Sequence, residues 1–268
     1  MQIETFVFFD LETTGLPHLE RNRTKITELC FIAVSRHDLT TCKSGKPITN
    51  KLSCVFNPER KIQIAASQKT GLTNMSLKHQ QVFKDKIPIL NLFLEGLRKP
   101  VCLVAHNGNT FDYKVLKAEY NDAQIDLPSD IFCVDSLIGF RKILKDNDLR
   151  FDSISIDSHN VTSSTVEEDI VTDDEDEWPE LNVSLEDWQN IDKLVITNVT
   201  PSDSDSKKSL QLSSLYKRLL NKHPVDAHRA EADCSMLLQC VISTKDLFLP
   251  WADKFYILLS SIKPLQRH

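Results

Sequence analysis

Short runs of apolar residues mark the strands of a central sheet in this sequence. The first run, residues 3–9, is rich in β-branched and aromatic side chains, and further strands are predicted near 26–36 and 51–57. Two continuous apolar runs, VCLVA at 101–105 and IFCV at 131–134, are typical of strands that are covered on both faces.

Apolar residues at helical spacing predict the remaining elements. Residues 78–97 carry an apolar stripe, but Pro88 lies inside it, so we expect a kink or two shorter helices. Further helices are predicted at about 110–121, 136–145, 209–221, 229–243 and 246–261. Strands first, followed by alternating strands and helices, indicate an α/β fold with a mixed central sheet.

A strongly acidic stretch, residues 146–206, interrupts this pattern. It holds 18 Asp and Glu residues against Arg150 and Lys193. Its first half is expected to be disordered, because it buries too little apolar surface to offset the entropy of ordering. Its second half includes Trp178 and Trp188, so it could dock as a short helix. We interpret the stretch as a largely disordered insertion within a single domain that spans residues 1–268.

Composition narrows the class of protein. The chain has 268 residues, of which 41% are hydrophobic and 26% are charged, which excludes a disulfide-stapled mini-protein and a wholly disordered chain. The formal net charge is −6, yet the residues outside the acidic stretch carry a net charge of +10. A basic body suits a polyanionic partner such as nucleic acid, although an ordinary solvated surface is the alternative interpretation.

The seven cysteines and the lengths of the apolar runs indicate the cellular compartment. The cysteines form no CxxC pair, so they are interpreted as reduced core thiols of a cytoplasmic or nuclear protein. The N-terminus has no basic region before its apolar run, unlike a signal peptide. The strongest late apolar run, residues 255–262, is far shorter than the ~20 residues of a membrane span, so no membrane association is expected.

Paired acids at the end of the first strand are the first candidate for chemistry. Because side chains alternate along a strand, Asp10 and Glu12 share one face with Phe6 and Phe8. Two carboxylates in that position repel each other, and the arrangement is reasonable if cations lie between them. The alternative is a strand end that simply emerges into water.

Two further acids lie on predicted helices, and a histidine lies just before one of them. Asp112 falls in a first helical turn and faces inward, although the helix dipole alone also favours an acid there. Asp233 occupies the apolar stripe of the helix at 229–243. His228 lies ~140° away from Asp233 in helical projection, so it is assigned to the entering loop, where it suits a proton acceptor.

The four acids together predict a metal centre. Carboxylates on three separate elements can hold two hard cations such as Mg²⁺, for which Mn²⁺ may substitute. Two such ions stabilise the attacking and leaving oxygens of phosphodiester hydrolysis. The sequence therefore predicts metal-assisted phosphodiester hydrolysis with Asp10, Glu12, Asp112 and Asp233 as ligands and His228 as the general base.

Three ordered motifs carry a resemblance to a known family. DLETTGLP at 10–17, AHNG-x3-D at 105–112 and H-x4-D at 228–233 resemble the exonuclease motifs of the DEDDh superfamily. With ASQKTGL, FCVDSL and LQLSSLYKRLL, the chain resembles the three prime repair exonuclease family over roughly residues 3–145 and 207–245. The resemblance implies a ribonuclease H-like fold with a mixed five-stranded sheet flanked by helices.

The resemblance also implies roles for individual residues. Asp10 would bridge both metals, Glu12 and Asp233 would complete one site, and Asp112 would complete the other. The implied substrate contacts are Thr13, Gly15, Leu16, Pro17, Gly71, Leu72, His106, Asn107 and Phe111. Members of this family are homodimers that remove nucleotides from DNA 3′ ends and release 5′-mononucleotides, which implies a role in DNA catabolism or DNA repair.

Departures from the family pattern leave alternatives open. Thr110 stands where relatives often have a basic residue that touches DNA, and Ala232 replaces a usual glycine. The acidic insertion could screen the basic body or recruit a protein partner. An exoribonuclease of the same superfamily would use identical chemistry, and a catalytically silent nucleic-acid-binding adaptor is the alternative from another class.

Overall fold

A mixed six-stranded sheet runs through the residues that the computed structural model describes, which are 1–42, 46–151, 209–224 and 228–267. The strands are β1 (Thr5–Thr13), β2 (Ile26–Ser35), β3 (Asn50–Val55), β4 (Val101–Ala105), β5 (Ile131–Asp135) and β6 (Ile257–Leu258). Their order across the sheet is β3-β2-β1-β4-β5-β6. β1 pairs antiparallel with β2 and parallel with β4, and β4 pairs parallel with β5, which confirms the predicted mixed α/β sheet.

The predicted number of five strands was too low. Residues Ile257 and Leu258 pair antiparallel with Cys133 and Phe132 and add a sixth strand, so the helix predicted over 246–261 ends at Phe255. Tyr256 leaves that helix in an extended conformation, and its ring packs edge-on against Phe132 with centroids 4.8 Å apart. This tertiary contact overrides the helical spacing of the apolar residues.

Nine α-helices surround the sheet in the described part of the chain. They are α1 (Arg36–Thr41), α2 (Ile64–Thr70), α3 (Asn74–Leu77), α4 (Phe83–Glu95), α5 (Asp112–Ala123), α6 (Ser136–Phe151), α7 (Leu212–Leu220), α8 (Ala230–Ser243) and α9 (Lys245–Phe255). The three short helices α1 to α3 were not predicted. They have six, seven and four residues, which is too short for the apolar period to show.

Helix α4 is one helix rather than two, although Pro88 lies inside it. Its buried face is formed by Phe83, Ile87, Leu90 and Leu94. Burial of an apolar side chain contributes about 1.5–3 kcal/mol, and an interior proline costs about 3 kcal/mol. Four buried side chains therefore outweigh the loss of one helical hydrogen bond.

Two main clusters of buried residues pack against the sheet. The alternation along β1 places Phe6 and Phe8 in one cluster, with the buried face of α8, and Val7 and Phe9 in the other, with α5. Asp10 and Glu12 continue the Phe6–Phe8 side of the strand. The end of β1 therefore directs its two acids toward α8.

Helix α6 continues beyond its predicted end at residue 145 to Phe151 and thus enters the acidic stretch. Apart from those first residues, the predicted insertion lies outside the described residues, as does its expected disorder. Met1–Ser153 and Ser209–His268 belong to one compact unit. The single-domain assignment of the whole chain stays a prediction.

The burial of the cysteines and the length of the described helices test two of the predictions. All seven cysteines are free, and six of them are buried core thiols, whereas Cys42 is partly exposed. A search of the described helices finds none with both the length and the apolar character needed to cross a bilayer.

A glycine in α6 gives a test of the packing between α6 and α9. A Cβ atom on Gly139 would lie 2.6 Å from the ring of Trp251, which is itself buried. Overpacking typically costs about 1–3 kcal/mol, whereas replacing a helical glycine by alanine gains about 1 kcal/mol.

We expect Gly139→Ala to lower the free energy of unfolding, measured by urea denaturation. Exposed Arg141→Ala in the same helix should change it by less than about 0.5 kcal/mol. A Gly139→Ala protein as stable as wild type would contradict this packing.

Candidate metal centre

Three carboxylates meet where β1 ends and α8 begins. Asp10 and Glu12 lie on the α8 side of β1, and Asp233 lies in the first turn of α8. One oxygen of each carboxylate lies within 4.8 Å of the others, and all three residues are partly buried. These three predicted ligands therefore come together from two elements that are far apart in the sequence.

Asp112, the fourth predicted ligand, lies next to this group. It is the first residue of α5 and is 4% exposed, and its carboxylate lies near the backbone N–H of Leu11 in β1, which partly offsets the rise of its pKa. Its charge is close enough to raise the pKa of both Asp10 and Glu12. The structure thus brings all four acids into one neighbourhood, with Asp112 outside the tightest group of three.

Burial and mutual repulsion make this cluster costly without cations. Burial, followed by the charges of neighbouring acids, raises the pKa of Glu12 to about 9 and holds the pKa of Asp10 well above its ordinary value. Burial raises the pKa of Asp112 to about 8 and that of Asp233 to about 6. Hard divalent cations prefer oxygen ligands and would remove this repulsion, so the donor set fits such ions.

His228 occupies the turn that precedes α8, as the predicted separation from Asp233 required. The residue is exposed and has a left-handed backbone conformation with φ of 70°. Its backbone N–H donates to Oδ2 of Asp233 over 3.1 Å. Partial burial of the ring, followed by the positive charge of Lys69, lowers the pKa of His228, which favours the neutral imidazole.

A fifth buried acid, Asp135, shapes the loop that leads to Asp112. Its carboxylate accepts the backbone N–H of Asn107 over 2.9 Å, of Asn109 over 3.1 Å and of Leu137 over 3.0 Å. These bonds hold the end of β5 to the turn before α5. Asp135 thereby positions the start of the helix that carries Asp112.

The ring of His106 stabilises the loop between β4 and α5 through two hydrogen bonds. Its Nδ1 lies 3.0 Å from Oγ of Ser136, and its Nε2 lies 2.9 Å from the carbonyl oxygen of Leu210. Burial lowers the pKa of His106 to about 4, so the ring is neutral and Nε2 carries the proton that Leu210 accepts. Both ring nitrogens are engaged within the protein, and the predicted contact of His106 with substrate stays a prediction.

The sequence analysis missed an ion pair beside the cluster. Glu28 lies opposite Glu12 in the β1–β2 register and accepts from Nε and Nη2 of Arg229 at 2.9 and 2.6 Å. It also accepts the backbone N–H of Ala230 over 3.1 Å, which caps the start of α8. No local pattern could have revealed this pair, because its members are 201 residues apart.

The predicted substrate contacts at 13–17 lie in a turn that is held by a hydrogen bond and by close packing. Thr13 is buried and its hydroxyl donates to the carbonyl of Gly15 over 3.0 Å. A Cβ atom on Gly15 would lie 2.6 Å from Cγ of Gln63, so the turn and the chain before α2 approach closely. Leu16 and Pro17 are partly exposed and border this turn. Their contacts with substrate stay predictions.

The remaining predicted contacts lie at the ends of helices. Gly71 ends α2 with a left-handed φ of 73°, and buried Leu72 packs with Ile62 and Leu77. Phe111 immediately precedes α5 and is partly buried against the core. Asn107 also has a positive φ, 66°, and its side-chain oxygen accepts from Thr110 over 2.7 Å.

Comparisons with known proteins agree with this geometry. A family model described as exonuclease, of the RNase T type, matches residues 7–154. Three-prime repair exonuclease 1 of Homo sapiens is 28% identical over 279 residues, covering 98% of this chain and 71% of that protein. Three prime repair exonuclease 2 of Mus musculus is 28% identical over 272 residues, covering 98% of this chain and 92% of that protein.

A solved structure shares the fold. The nuclease domain of 3′hExo, described as a DEDDh family member bound to rAMP, aligns with a TM-score of 0.56 and 11% identity. The alignment covers 91% of this chain and 92% of that one. At such low identity the likeness shows the fold alone, which is that of a DEDDh exonuclease.

The crowded acids predict how stability depends on pH and on divalent cations. Their pKa values in the folded protein, about 6 to about 9, exceed the ordinary unfolded values near 4, so the folded protein retains more protons. The stability of the metal-free protein should therefore fall as the pH rises from about 5 through 9. Magnesium should raise the melting temperature more at pH 8.5 than at pH 6, compared with EDTA.

The matched variant for this measurement is Asp10→Asn, which removes one of the repelling charges. It should melt higher than wild type in EDTA at pH 8.5 and should gain less from magnesium. A magnesium effect that is independent of pH, or unchanged in Asp10→Asn, would mean that these acids do not form the cation site.

Proposed function

This chain belongs to the DEDDh exonuclease family, of the RNase T type, and we propose that it is a magnesium-dependent 3′→5′ exodeoxyribonuclease. It would degrade single-stranded DNA and frayed 3′ ends of duplex DNA to 5′-mononucleotides. The observation that carries the proposal is the meeting of Asp10, Glu12 and Asp233 within 4.8 Å, beside His228 and Asp112. Family members use divalent metals, and these acids supply the oxygen ligands.

Asp10, Glu12, Asp112 and Asp233 would hold two divalent ions. When bound, Mg²⁺ or Mn²⁺ supplies positive charge that stabilises the attacking and leaving oxygens of the phosphodiester. The fold contributes rigidity, because β1 and α8 fix three of the acids before substrate arrives. Asp135 fixes the fourth through the loop that it holds.

His228 supplies the proton acceptor in this proposal. Its lowered pKa favours the neutral ring, and a neutral imidazole can accept a proton from an attacking water molecule. The hydrogen bond from its backbone to Asp233 ties the turn to the ligand cluster. The exposed position of His228 leaves it accessible to substrate and water.

The choice of DNA rests on the similarity to the three prime repair exonucleases, which covers nearly the whole chain. A homodimer and a role in DNA catabolism or DNA repair belong to the same proposal and rest on that resemblance. A cytoplasmic or nuclear location is proposed from the free cysteines. An exoribonuclease would use the same acids, because the two reactions differ at the 2′-hydroxyl and not at the phosphate. A silent adaptor would not need these five residues, four acids and a histidine, in one neighbourhood.

We expect purified protein with Mg²⁺ to shorten DNA oligonucleotides with a free 3′-hydroxyl one residue at a time, followed on sequencing gels. A 3′-blocked oligonucleotide and an EDTA reaction are the controls, and both should remain intact. DNA and RNA of the same sequence, offered in competition, report the preferred substrate. Equal shortening of blocked and unblocked ends would contradict a 3′→5′ exonuclease, and preferential cleavage of RNA would contradict the DNA assignment.

Removal of one predicted ligand tests the site itself. Asp233→Asn should lower kcat at least about 100-fold, because it replaces a charged oxygen ligand by a neutral amide. Asp130→Asn is the matched control, since Asp130 is exposed and pairs with Lys99 away from the cluster. It should leave kcat unchanged. An Asp233→Asn enzyme with wild-type kcat would assign the activity to another part of the protein.

A further inference from the structure

The carboxylate of Glu20 lies directly beneath the turn at 13–17. The side chain of Glu20 has no solvent exposure, and a Cβ atom on Gly15 would lie 3.2 Å from its Cδ. Glutamate is almost never fully buried unless it is paired. Glu20 is not one of the acids of the metal centre, so its partners indicate what this buried charge does.

The first partner of Glu20 is the hydroxyl of Thr14, a fully buried residue of the turn. The Thr14 hydroxyl donates to Oε2 of Glu20 over 2.7 Å and accepts the backbone N–H of Lys25 over 3.1 Å. The carbonyl oxygen of Thr14 accepts the backbone N–H of Gln63 over 2.7 Å. Thr14 therefore joins the turn to the residue before β2 and to the residue before α2, and Glu20 orients its hydroxyl.

Arg60 is the second partner of Glu20. Its Nη2 lies 3.2 Å from Oε1 of Glu20, and its Nη1 donates to the carbonyl oxygen of Arg23. Arg60 is itself held, because its carbonyl oxygen accepts from Nδ2 of Asn74 over 2.7 Å. Separating a buried charge from its partner is costly, since the charge is then left uncompensated. The ion pair therefore favours one conformation of the chain between Thr14 and Arg23.

The backbone of Glu20 supports the exposed end of the turn. Its N–H donates to the carbonyl oxygens of Leu16 over 3.2 Å and of Pro17 over 3.1 Å, and its carbonyl oxygen accepts the N–H of Arg23 over 3.0 Å. Leu16 and Pro17 are the partly exposed residues at which the turn is predicted to contact substrate. The side chain and the backbone of Glu20 therefore both hold this turn from its buried side.

We propose that Glu20 is a positioning residue, whose buried carboxylate holds the turn at 13–17 in the conformation that receives the 3′-terminal nucleotide. This inference rests on the proposed nuclease function and names a residue on which its substrate binding depends. Without the carboxylate, only a fraction of the molecules would carry the turn in the competent conformation, and the apparent affinity falls by that fraction. The hydrogen bonds and the ion pair described for Glu20 involve none of the four predicted ligands, so the rate at the phosphodiester bond should not depend on it.

The test combines two measurements on full-length protein. Steady-state kinetics on a ten-nucleotide DNA strand give KM and kcat, and calorimetry in Mg²⁺ gives Kd for deoxyadenosine 5′-monophosphate. The mononucleotide probes the site of the terminal nucleotide alone. Glu20→Ala is compared with Glu95→Ala, which removes an exposed glutamate from α4. Melting temperatures check that each variant is folded.

Glu20→Ala should raise KM for the strand and Kd for the mononucleotide about 10-fold each, the change expected if about one molecule in ten keeps the competent turn. Its kcat should stay within about twofold of wild type, because a loss of binding that is equal in the ground state and the transition state leaves kcat unchanged. Glu95→Ala should change none of the three quantities. An unchanged KM and Kd in Glu20→Ala, or a fall in kcat alone, would overturn the proposal.

Thr14 gives a second route to the same interaction. Thr14→Val removes the hydroxyl and keeps nearly the same shape, so it should raise KM and Kd as Glu20→Ala does, and Thr14→Ser, which keeps the hydroxyl, should restore them. The double variant should be little worse than either single variant, because the two residues act through one hydrogen bond. Effects that multiply would show that Glu20 does not act through Thr14 and would overturn the proposal. If Glu20→Ala does not fold, wild-type affinity in Thr14→Val has the same meaning.

These outcomes separate this inference from the proposed function, because binding of the mononucleotide does not require cleavage. If wild-type protein cleaves DNA while Glu20→Ala binds the mononucleotide normally, the positioning role fails and the nuclease assignment stands. If Glu20→Ala weakens binding of the mononucleotide but wild-type protein never cleaves DNA, the nuclease assignment fails and the role of Glu20 in nucleotide binding stands.

Discussion

Repulsion between carboxylates at the end of β1 is the constraint on which the rest of this structure depends. Four acids are held in one neighbourhood, three of them with oxygens within 4.8 Å. In the unfolded chain they would separate, so the core must hold them together against their charge. The sheet does so because β1 pairs with β2 along its whole length, while α8 packs against both strands.

The acids of this region have two kinds of partner. Glu28 has a permanent cation in Arg229, and Asp135 is surrounded by backbone N–H donors. The other four acids face one another, and burial together with the charge of neighbouring acids raises their pKa values, although Asp233 also accepts the backbone N–H of His228. Burial also raises the pKa of Asp135. Arg229 also lowers the pKa of Glu12 slightly, which shows how near the permanent pair lies to the cluster. Glu28 and Asp135 therefore differ from the four predicted ligands in their partners, which are an arginine or three backbone N–H groups.

The sequence predicted those parts of the structure that depend on local spacing. Alternation along a strand placed Asp10 and Glu12 on one face, and helical projection placed His228 outside α8, as the structure shows. It could not predict Glu28 with Arg229, or Asp135 with Asn107, because these contacts join elements that meet only after folding. Strand β6 was missed for the same reason, since the ring contact that ends α9 is tertiary.

Asp112 belongs to the sheet as well as to the metal centre. The register of β1 with β4 ends at Phe8, and further along that strand the backbone N–H of Leu11 lies near enough to the Asp112 carboxylate to lower its pKa. One side chain thus lies beside the edge of a strand and beside the ligand cluster. A mutant at this position would combine a local folding defect with a lost ligand, so its phenotype could not be attributed to either one alone. Among the described residues, Asp233 makes no hydrogen bond with β1. Its replacement is therefore the better test of the ligand's contribution to kcat.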